Sequence, residues 1–495
     1  MSLTAIERLV ELLLLVLVAL PLTRLAFDPG IRRRFKAFPP IQPLLPIALA
    51  SYAIGLAAAF VFAPILLRPA AVFAAALIVY EILQRRPGFG ARRKLPPGSL
   101  TYFPIEPWRD PEYFRKNAAR WGPVFKFRHL SRPAVGIVGL DQIGEFLQSH
   151  SAELSSPPAP FNTIVPGGFV RYLRGDDHLD TAVMLRSAMS RTVVEQCSGD
   201  VTAEARNAVA TLARDPQKCD RAVDEMMLHV MMRCFLGLGR GAELDRFAEL
   251  FRTADYRRLA TTGKVKARQA MGEIIREMRV LSTRGNVQCS FLLELAKAHP
   301  HALASDAMMG SFAYALHTAR VDASGLMTWM LAVLGEHPQW AASLRGEYAS
   351  NPAAGEIGGL ADRIVRESLR LRQSEFIIRR TRTDIDWNGF TIPEGWHVRL
   401  CVAESHRSSD AFEEPDRFDP DRFVKTPTRS RYAPFGFAPH LCPGEHLTRW
   451  IGRKLLVELA RGHDIRASGV QPWEFGGFHW RPNGQMKITL TPVAT

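Results

Sequence analysis

Late in the chain one thiol sits in a setting built for chemistry. In "YAPFGFAPHLCPGEHL" (Tyr432–Leu447), Cys442 has Phe435 seven residues before it and Gly444 two after it. A free buried cysteine ordinarily acts as a small hydrophobe. Glycines, however, let backbone approach a flat ligand closely or aim amide N–H groups at a sulfur. The following "EHLTRWIGRKLLVELARG" carries a helical pattern that opens just past the thiol. Its N-terminal N–H groups and dipole favour thiolate over thiol. A metal-bound thiolate needs that combination: reach to the metal, and N–H donors that soften the charge on sulfur. The other five cysteines, Cys197, Cys219, Cys234, Cys289 and Cys401, show no zinc-type pairing and no disulfide framework.

Three further stretches surround this one. "ESLR" (Glu367–Arg370) places a carboxylate and a guanidinium on one helix face. "PDRF" (Pro420–Phe423) follows, and "ARVDAS" (Ala319–Ser324) lies inside a long apolar segment. Together they resemble the cytochrome P450 family. Its haem signature F-x-x-G-x-x-x-C-x-G is met by Phe435, Cys442 and Gly444, with Ala438 at the internal glycine. The resemblance runs from about Leu95 to the C-terminus. It implies haem b held by the Cys442 thiolate, with Phe435 as the ring shielding the sulfur. It implies that His440, His178 in "RGDDHLDTAVMLRSAMS" and Arg380 meet the haem or its propionates. Ala182 stands where the family often has an Arg, and Arg186 is the substitute. The resemblance also makes Glu367, Arg370 and Arg422 a buried structural lock, with Asp421 in place of the more usual Glu.

In this family a thiolate pushes electron density to iron and favours O–O cleavage, and protons must reach the distal oxygen by a relay. The acid of the family's A-G-x-[DE]-T-[TS] motif is present as Asp322. Ala323 replaces the Thr, Arg320 the Gly, and Ser324 offers a hydroxyl one position late. Trp329, seven residues on, resembles a subgroup containing both hydroxylases and isomerases of oxygenated lipids. The resemblance therefore implies a monooxygenase inserting one atom of O2 into an apolar lipid, steroid or terpenoid-like substrate. Its electrons would come from a separate ferredoxin or flavoprotein reductase, since no such module is visible in the chain. The alternatives are an isomerase or dehydratase of oxygenated lipids that needs no electrons, and a non-catalytic haem-binding membrane protein. Arg449, Arg453 and Lys454 meet an acidic electron donor or form a solvated helix face.

The elements that must position these groups are mainly helical. The 495 residues include 28 Phe and 47% hydrophobic residues, enough for a large core. Leu303–Pro338 is too long and apolar for a surface helix and is expected to cross that core. Gly122–Leu140 reads as two short strands, Asp384–Leu400 as a hairpin and Phe478–Pro492 as another. The fold class is thus mainly α with small β-sheets, a P450 fold preceded by transmembrane helices. Apolar stretches at Leu9–Phe27, Leu45–Leu67 and Pro69–Leu83 supply one to three spans of roughly 20 residues. Residues 1–94 form the membrane-anchoring region and 95–495 the haem domain, joined by "KLPPGS" (Lys94–Ser99) as a stiff linker. Of the net charge of +14, residues 1–94 hold +8, from 12 Lys/Arg against 4 Asp/Glu. Three spans put both basic clusters, Arg32–Lys36 and Arg85–Lys94, on the cytoplasmic side with the haem domain. The membrane is the bacterial inner one, or the endoplasmic reticulum in a eukaryote. No interleaved basic and aromatic patch suggests nucleic-acid binding.

Overall fold

The computed structural model describes residues 94–100, 106–129, 132–157, 160–255, 262–284, 289–373, 377–425, 431–471, 473–475, 480–482 and 484–493. The three apolar stretches at Leu9–Phe27, Leu45–Leu67 and Pro69–Leu83 lie outside the described residues. Among the described residues no helix is long and apolar enough to cross a membrane.

The site depends on eight helices. They are α1 (Gly175–Ala188), α2 (Ser198–Arg214), α3 (Cys219–Leu236), α4 (Ala242–Thr253), α5 (Lys264–Thr283), α6 (Asp306–Glu336), α7 (Leu360–Ser368) and α8 (Glu445–Gly462). The expected core-crossing helix is α6. It starts where Ser305 Oγ accepts from Met308 N, with Asp306 in the first turn, and Pro338 lies just beyond its end. Being apolar around most of its circumference, it is enclosed by α3, α5, α8 and the strand after α8. One stretch breaks the pattern: Thr318–Asp322 is half-buried, whereas the residues on either side are buried. The half-buried segment marks where a cleft opens against the middle of the helix.

Helix α8 crosses α7 and α6 closely, and Gly452 makes the approach possible. A Cβ there would meet Val365 Cγ2 at 2.9 Å and Met330 Sδ at 3.3 Å. One large apolar cluster joins these helices, with Trp329 fully buried within it.

The main sheet has strands β1 (Val124–His129), β2 (Arg132–Ile137), β3 (Leu154–Ser155), β4 (Ile377–Thr381) and β7 (His397–Leu400), in the order β1-β2-β7-β4-β3. The β2–β7 pair is parallel and the others are antiparallel. The expected strand pair at Gly122–Leu140 is β1 and β2. Within Asp384–Leu400 a short hairpin forms from β5 (Ile385–Trp387) and β6 (Phe390–Ile392). Asn388 and Gly389 turn it with φ of 49° and 74°, the left-handed pair a two-residue hairpin demands.

The C-terminal hairpin expected over Phe478–Pro492 does not form. Strand β11 (Lys487–Pro492) pairs instead with β8 (His463–Ser468), and β10 (Trp480–Arg481) pairs with β9 (Glu474–Phe475). Pro482 has no N–H to donate, which stops β10 after two residues. The six-residue ladder with β8 also lets Ile488 and Leu490 bury on the same face as Ile465.

Candidate active site

The cysteine segment is held from two directions. Cys442 N–H donates to Phe435 O at 3.0 Å, and Gly436 N–H donates to Ala433 O at 3.0 Å. Gly436 has φ +82°, a conformation that a residue with a side chain rarely adopts. Gly444 is the N-cap of α8, so the thiol precedes the helix's positive end by two residues. The other cysteines are buried or half-buried, whereas Cys442 is exposed.

That thiol opens into a cleft between α1, α6 and the cysteine segment. Cys442, Phe435, Gly444 and His440 wall it from the cysteine segment, His178 from α1 and Asp322 from α6. Much of the remaining wall is apolar, including Ala319, Ala323, Leu326, Leu369 and Ile377. The His178 and His440 rings lie 4.2 Å apart. Burial, then Arg379, His178 and Arg171, pushes His440 down to about 3. His178 is also lowered, by burial, Arg186 and Arg379. The buried His440 Nδ1 has no hydrogen-bond partner. Histidines and cations thus gather around His440 in a largely apolar cleft. A flat macrocycle with an acidic edge fits those features, as does a sulfur ready beside it.

The positions of several expected residues differ from the sequence reading. Arg380 does not line the cleft; Arg379 does. Side chains alternate along a strand, so the one-residue error turned the guanidinium to the opposite face, beside Gly395. Ser324 also stays out of the cleft wall. It follows Asp322 by two residues, a rotation of about 200° on a helix, and its buried Oγ has no hydrogen-bond partner. Arg320, likewise two positions from Asp322, is not in the wall, while Arg186 is. Trp329 is a structural residue: its Nε1 donates to Trp480 O at 2.8 Å and its ring meets Trp473 edge-on. Arg449 and Arg453 do not present a free basic face, because both bind the buried Asp362 carboxylate. Asp362 itself was not legible as an anchor, lacking any motif that names it.

Behind the site lies the Glu367–Arg370–Arg422 cluster. Arg370 Nε and Nη2 each donate to a Glu367 oxygen at 2.7 Å, with both side chains fully buried. Arg422 Nε stands 3.4 Å from Glu367 Oε1, and Asp419 N–H donates to the same oxygen at 2.9 Å. Arg370 Nη1 also donates to His406 O and Pro415 O. His406, which the sequence reading missed, passes the constraint on: its Nε2 accepts from Ala433 N–H at 3.0 Å. A continuous path of hydrogen bonds therefore runs from the ion pair to the segment carrying Cys442.

His406 yields a pH prediction. Burial, with Arg370 nearby, pushes its imidazole down to about 3, so the folded chain resists a proton that the unfolded chain accepts near 6.5. Stability is complete above that value and falls as pH drops from about 6.5 toward 3. The slope from this residue is about 1.4 kcal/mol per pH unit. His406→Gln keeps an acceptor for Ala433 N–H but does not titrate. Urea unfolding at pH 7.5 and 5.0 is expected to show near-equal stability at the first pH and a smaller acid loss in the variant.

Comparisons with known proteins bear on this geometry. A family model described as Cytochrome P450 matches residues 322–474, a span that includes Asp322, the ion-pair cluster and the cysteine segment. Abscisic acid 8'-hydroxylase 3 of Oryza sativa subsp. indica is 25% identical over 425 residues, covering 78% of this chain and 85% of the relative. Abscisic acid 8'-hydroxylase 1 of Arabidopsis thaliana is 24% identical, covering 76% and 88%. The chain belongs to the cytochrome P450 family. The solved structure of retinoic acid bound cyanobacterial CYP120A1 has the same fold as this P450, with a TM-score of 0.69 and 17% identity. It covers 81% of this chain and 100% of that one. A zebra fish cytochrome P450 with abiraterone aligns at a TM-score of 0.63, also at 17% identity, covering 77% and 99%. The protein is accordingly a P450 monooxygenase, and its cofactor is haem with a cysteine thiolate as axial ligand.

Proposed function

We propose that Cys442 is the axial thiolate and that the cleft above it takes an apolar lipid, steroid or terpenoid-like substrate. The observation that carries this reading is the cleft wall itself, in which an exposed thiol, the unpartnered His440 Nδ1 and the Asp322 carboxylate share one cavity. Gly444 lies against the sulfur, Phe435 O accepts from Cys442 N–H, and the first N–H groups of α8 favour the ionised thiol. His178, His440 and Arg379 hold the acidic edge of the macrocycle. When bound, haem supplies the iron at which O2 is split, one atom entering substrate and the other leaving as water. Asp322 holds and passes the proton this requires, in place of the usual acid–alcohol pair. Abscisic acid in the relatives' names, and retinoic acid in the first structural neighbour, are in keeping with an apolar skeleton.

Electrons come from a separate ferredoxin or flavoprotein reductase. Residues 1–94 anchor the chain with one to three spans, and residues 95–495 form a haem domain on the cytoplasmic face. The basic excess in that first region supports the membrane placement.

The full-length protein, purified in detergent and reduced under carbon monoxide, is expected to give the red-shifted band of thiolate-ligated haem. Product formation is expected to require both O2 and an added reductase with NADPH. Turnover of lipid hydroperoxides without either would remove the monooxygenase reading. Asp322→Asn is expected to lower product formation by about 10²-fold while leaving the carbon monoxide band in place, checked by product analysis and spectra on one sample.

A further inference from the structure

We propose that Thr318 is a positioning residue, holding a water that carries the proton of Asp322 into the cleft. This rests on the haem-thiolate reading above and names a residue that its proton delivery needs. Asp322 is an acid in a largely apolar wall. An acid alone does not set the direction in which its proton leaves, so a second polar group must orient the carrier. The adjoining positions supply none: Ala323 has no hydroxyl, and Ser324 lies outside the cleft wall. Among the described residues, Thr318 is the one aliphatic hydroxyl that α6 places in that wall.

Thr318 precedes Asp322 by four residues, a step of about 6 Å along the axis and about 40° round it. Residues so spaced share a helix face, with Cβ atoms about 5–6 Å apart. Side chains on a helix lean toward its N-terminus, so the Asp322 carboxylate leans over the turn that carries Thr318. Both residues are half-buried, and both line the cleft. The wall beside them is made of Ala315, Ala319 and Ala323, small side chains that leave room for a water.

The hydroxyl's own proton is committed elsewhere. Thr318 Oγ1 donates to Tyr314 O at 3.1 Å and to Ala315 O at 3.2 Å. Such a bond back to the preceding turn does not strengthen a helix, so stability gives no reason for a hydroxyl here. A hydroxyl has one proton and two lone pairs, so toward the cleft Thr318 can only accept. A water beside it gives one hydrogen to Oγ1 and accepts the proton of the Asp322 carboxyl. Its other hydrogen is left to face the reacting oxygen. One proton passes from the water to that oxygen, and one from Asp322 to the water. The water is restored, and Asp322 becomes a carboxylate that solvent reprotonates. Asp322 also has an interaction of its own within the protein. The relay tolerates it, because a carboxyl group has capacity for several contacts.

The test uses the full-length holoprotein, reduced and bound to carbon monoxide, and reads the C–O stretching band in the infrared. An O–H group aimed at the bound gas lowers that frequency. Thr318→Val keeps the side-chain shape, removes the acceptor, and is expected to move the band upward with an unchanged urea midpoint. Thr318→Ser restores the hydroxyl and is expected to return the band. Thr318→Ala replaces the valine variant if that protein does not fold. A second readout adds reductase, NADPH, O2 and either abscisic acid or retinoic acid. In coupled turnover one NADPH, one proton and one O2 convert RH to ROH and water. When delivery fails, the same input leaves as hydrogen peroxide with the O–O bond intact. Thr318→Val is expected to lower product per NADPH at least about tenfold, with peroxide rising to match, and Thr318→Ser to recover both. Should neither acid be oxidised, the infrared band decides alone. A band unmoved by Thr318→Val, or moved and not returned by Thr318→Ser, overturns the inference, as does unchanged product per NADPH in Thr318→Val. Absence of the red-shifted visible band from the wild type instead removes the haem-thiolate reading. Its presence with an unmoved infrared band removes only the role of Thr318.

Discussion

Replacing Arg370 by leucine is expected to destabilise the fold by about 3–5 kcal/mol, with loss of haem during purification. The guanidinium is 1% exposed and makes five hydrogen bonds, two to Glu367 and three to the carbonyls of His406, Pro415 and Arg417. Leucine leaves a buried carboxylate without its main counter-charge. Burial already pushes Glu367 upward, and Arg370 is the strongest opposing influence. The loss also propagates, because His406 is fixed through its carbonyl by Arg370 and through Nε2 by Ala433, three residues before Gly436. Arg370→Lys is expected to recover only part of the stability, since an ammonium cannot reproduce the bidentate contact. Urea unfolding gives the free energies, and gel filtration gives the haem retained. Glu367→Leu together with Arg370→Leu is expected to cost less than the two single changes added, as neither charge is then left alone. An Arg370→Leu protein within 1 kcal/mol of wild type would remove the lock from the account of how the cysteine segment is held.

Much of this site was legible because chemistry fixes its spacing. Cys442, Phe435 and Gly444 lie within ten residues, and a thiolate ahead of a helix requires them close in sequence. Glu367 and Arg370 share a helix face, so their pairing follows from the 3.6-residue period. Helix α6 showed itself by length and apolarity alone. The errors came where local geometry decides an orientation. A single step along β4 separates Arg379 from Arg380 and exchanges the two faces of a strand. Two steps along α6 carry Ser324 from the cleft to its far side, although either residue satisfies a motif written as a string. The Phe478–Pro492 hairpin failed because β8, some twenty residues earlier, is the better partner for β11, and strand pairing at that distance has no local signal. Asp362 and His406 share a different difficulty. Each acts through partners distant in the chain: Arg449 for the first, Arg370 and Ala433 for the second. No periodicity or motif connects them until the helices are packed.

Cys442→Ser separates chemistry from folding in a way that Arg370→Leu does not. The Cys442 side chain lies at the cleft surface rather than in the core, and the bond from its backbone N–H to Phe435 O does not depend on sulfur. The variant is therefore expected to unfold in urea within about 0.5 kcal/mol of wild type. A serine hydroxyl does not ionise near neutral pH as a thiol does, and the dipole of α8 cannot make up the difference. The electron donation that favours O–O cleavage is lost with the thiolate. The red-shifted carbon monoxide band is expected to disappear, and product formation to fall at least about 100-fold, equivalent to roughly 2.7 kcal/mol in the barrier. No other cysteine is placed to compensate, since Cys197, Cys219, Cys234, Cys289 and Cys401 are all absent from the cleft wall. A band that persists in Cys442→Ser would mean that the iron takes its ligand elsewhere. Loss of the band together with collapse of the urea midpoint would instead mean that Cys442 supports the fold. Only loss of band and turnover at unchanged stability gives the thiol the role proposed here.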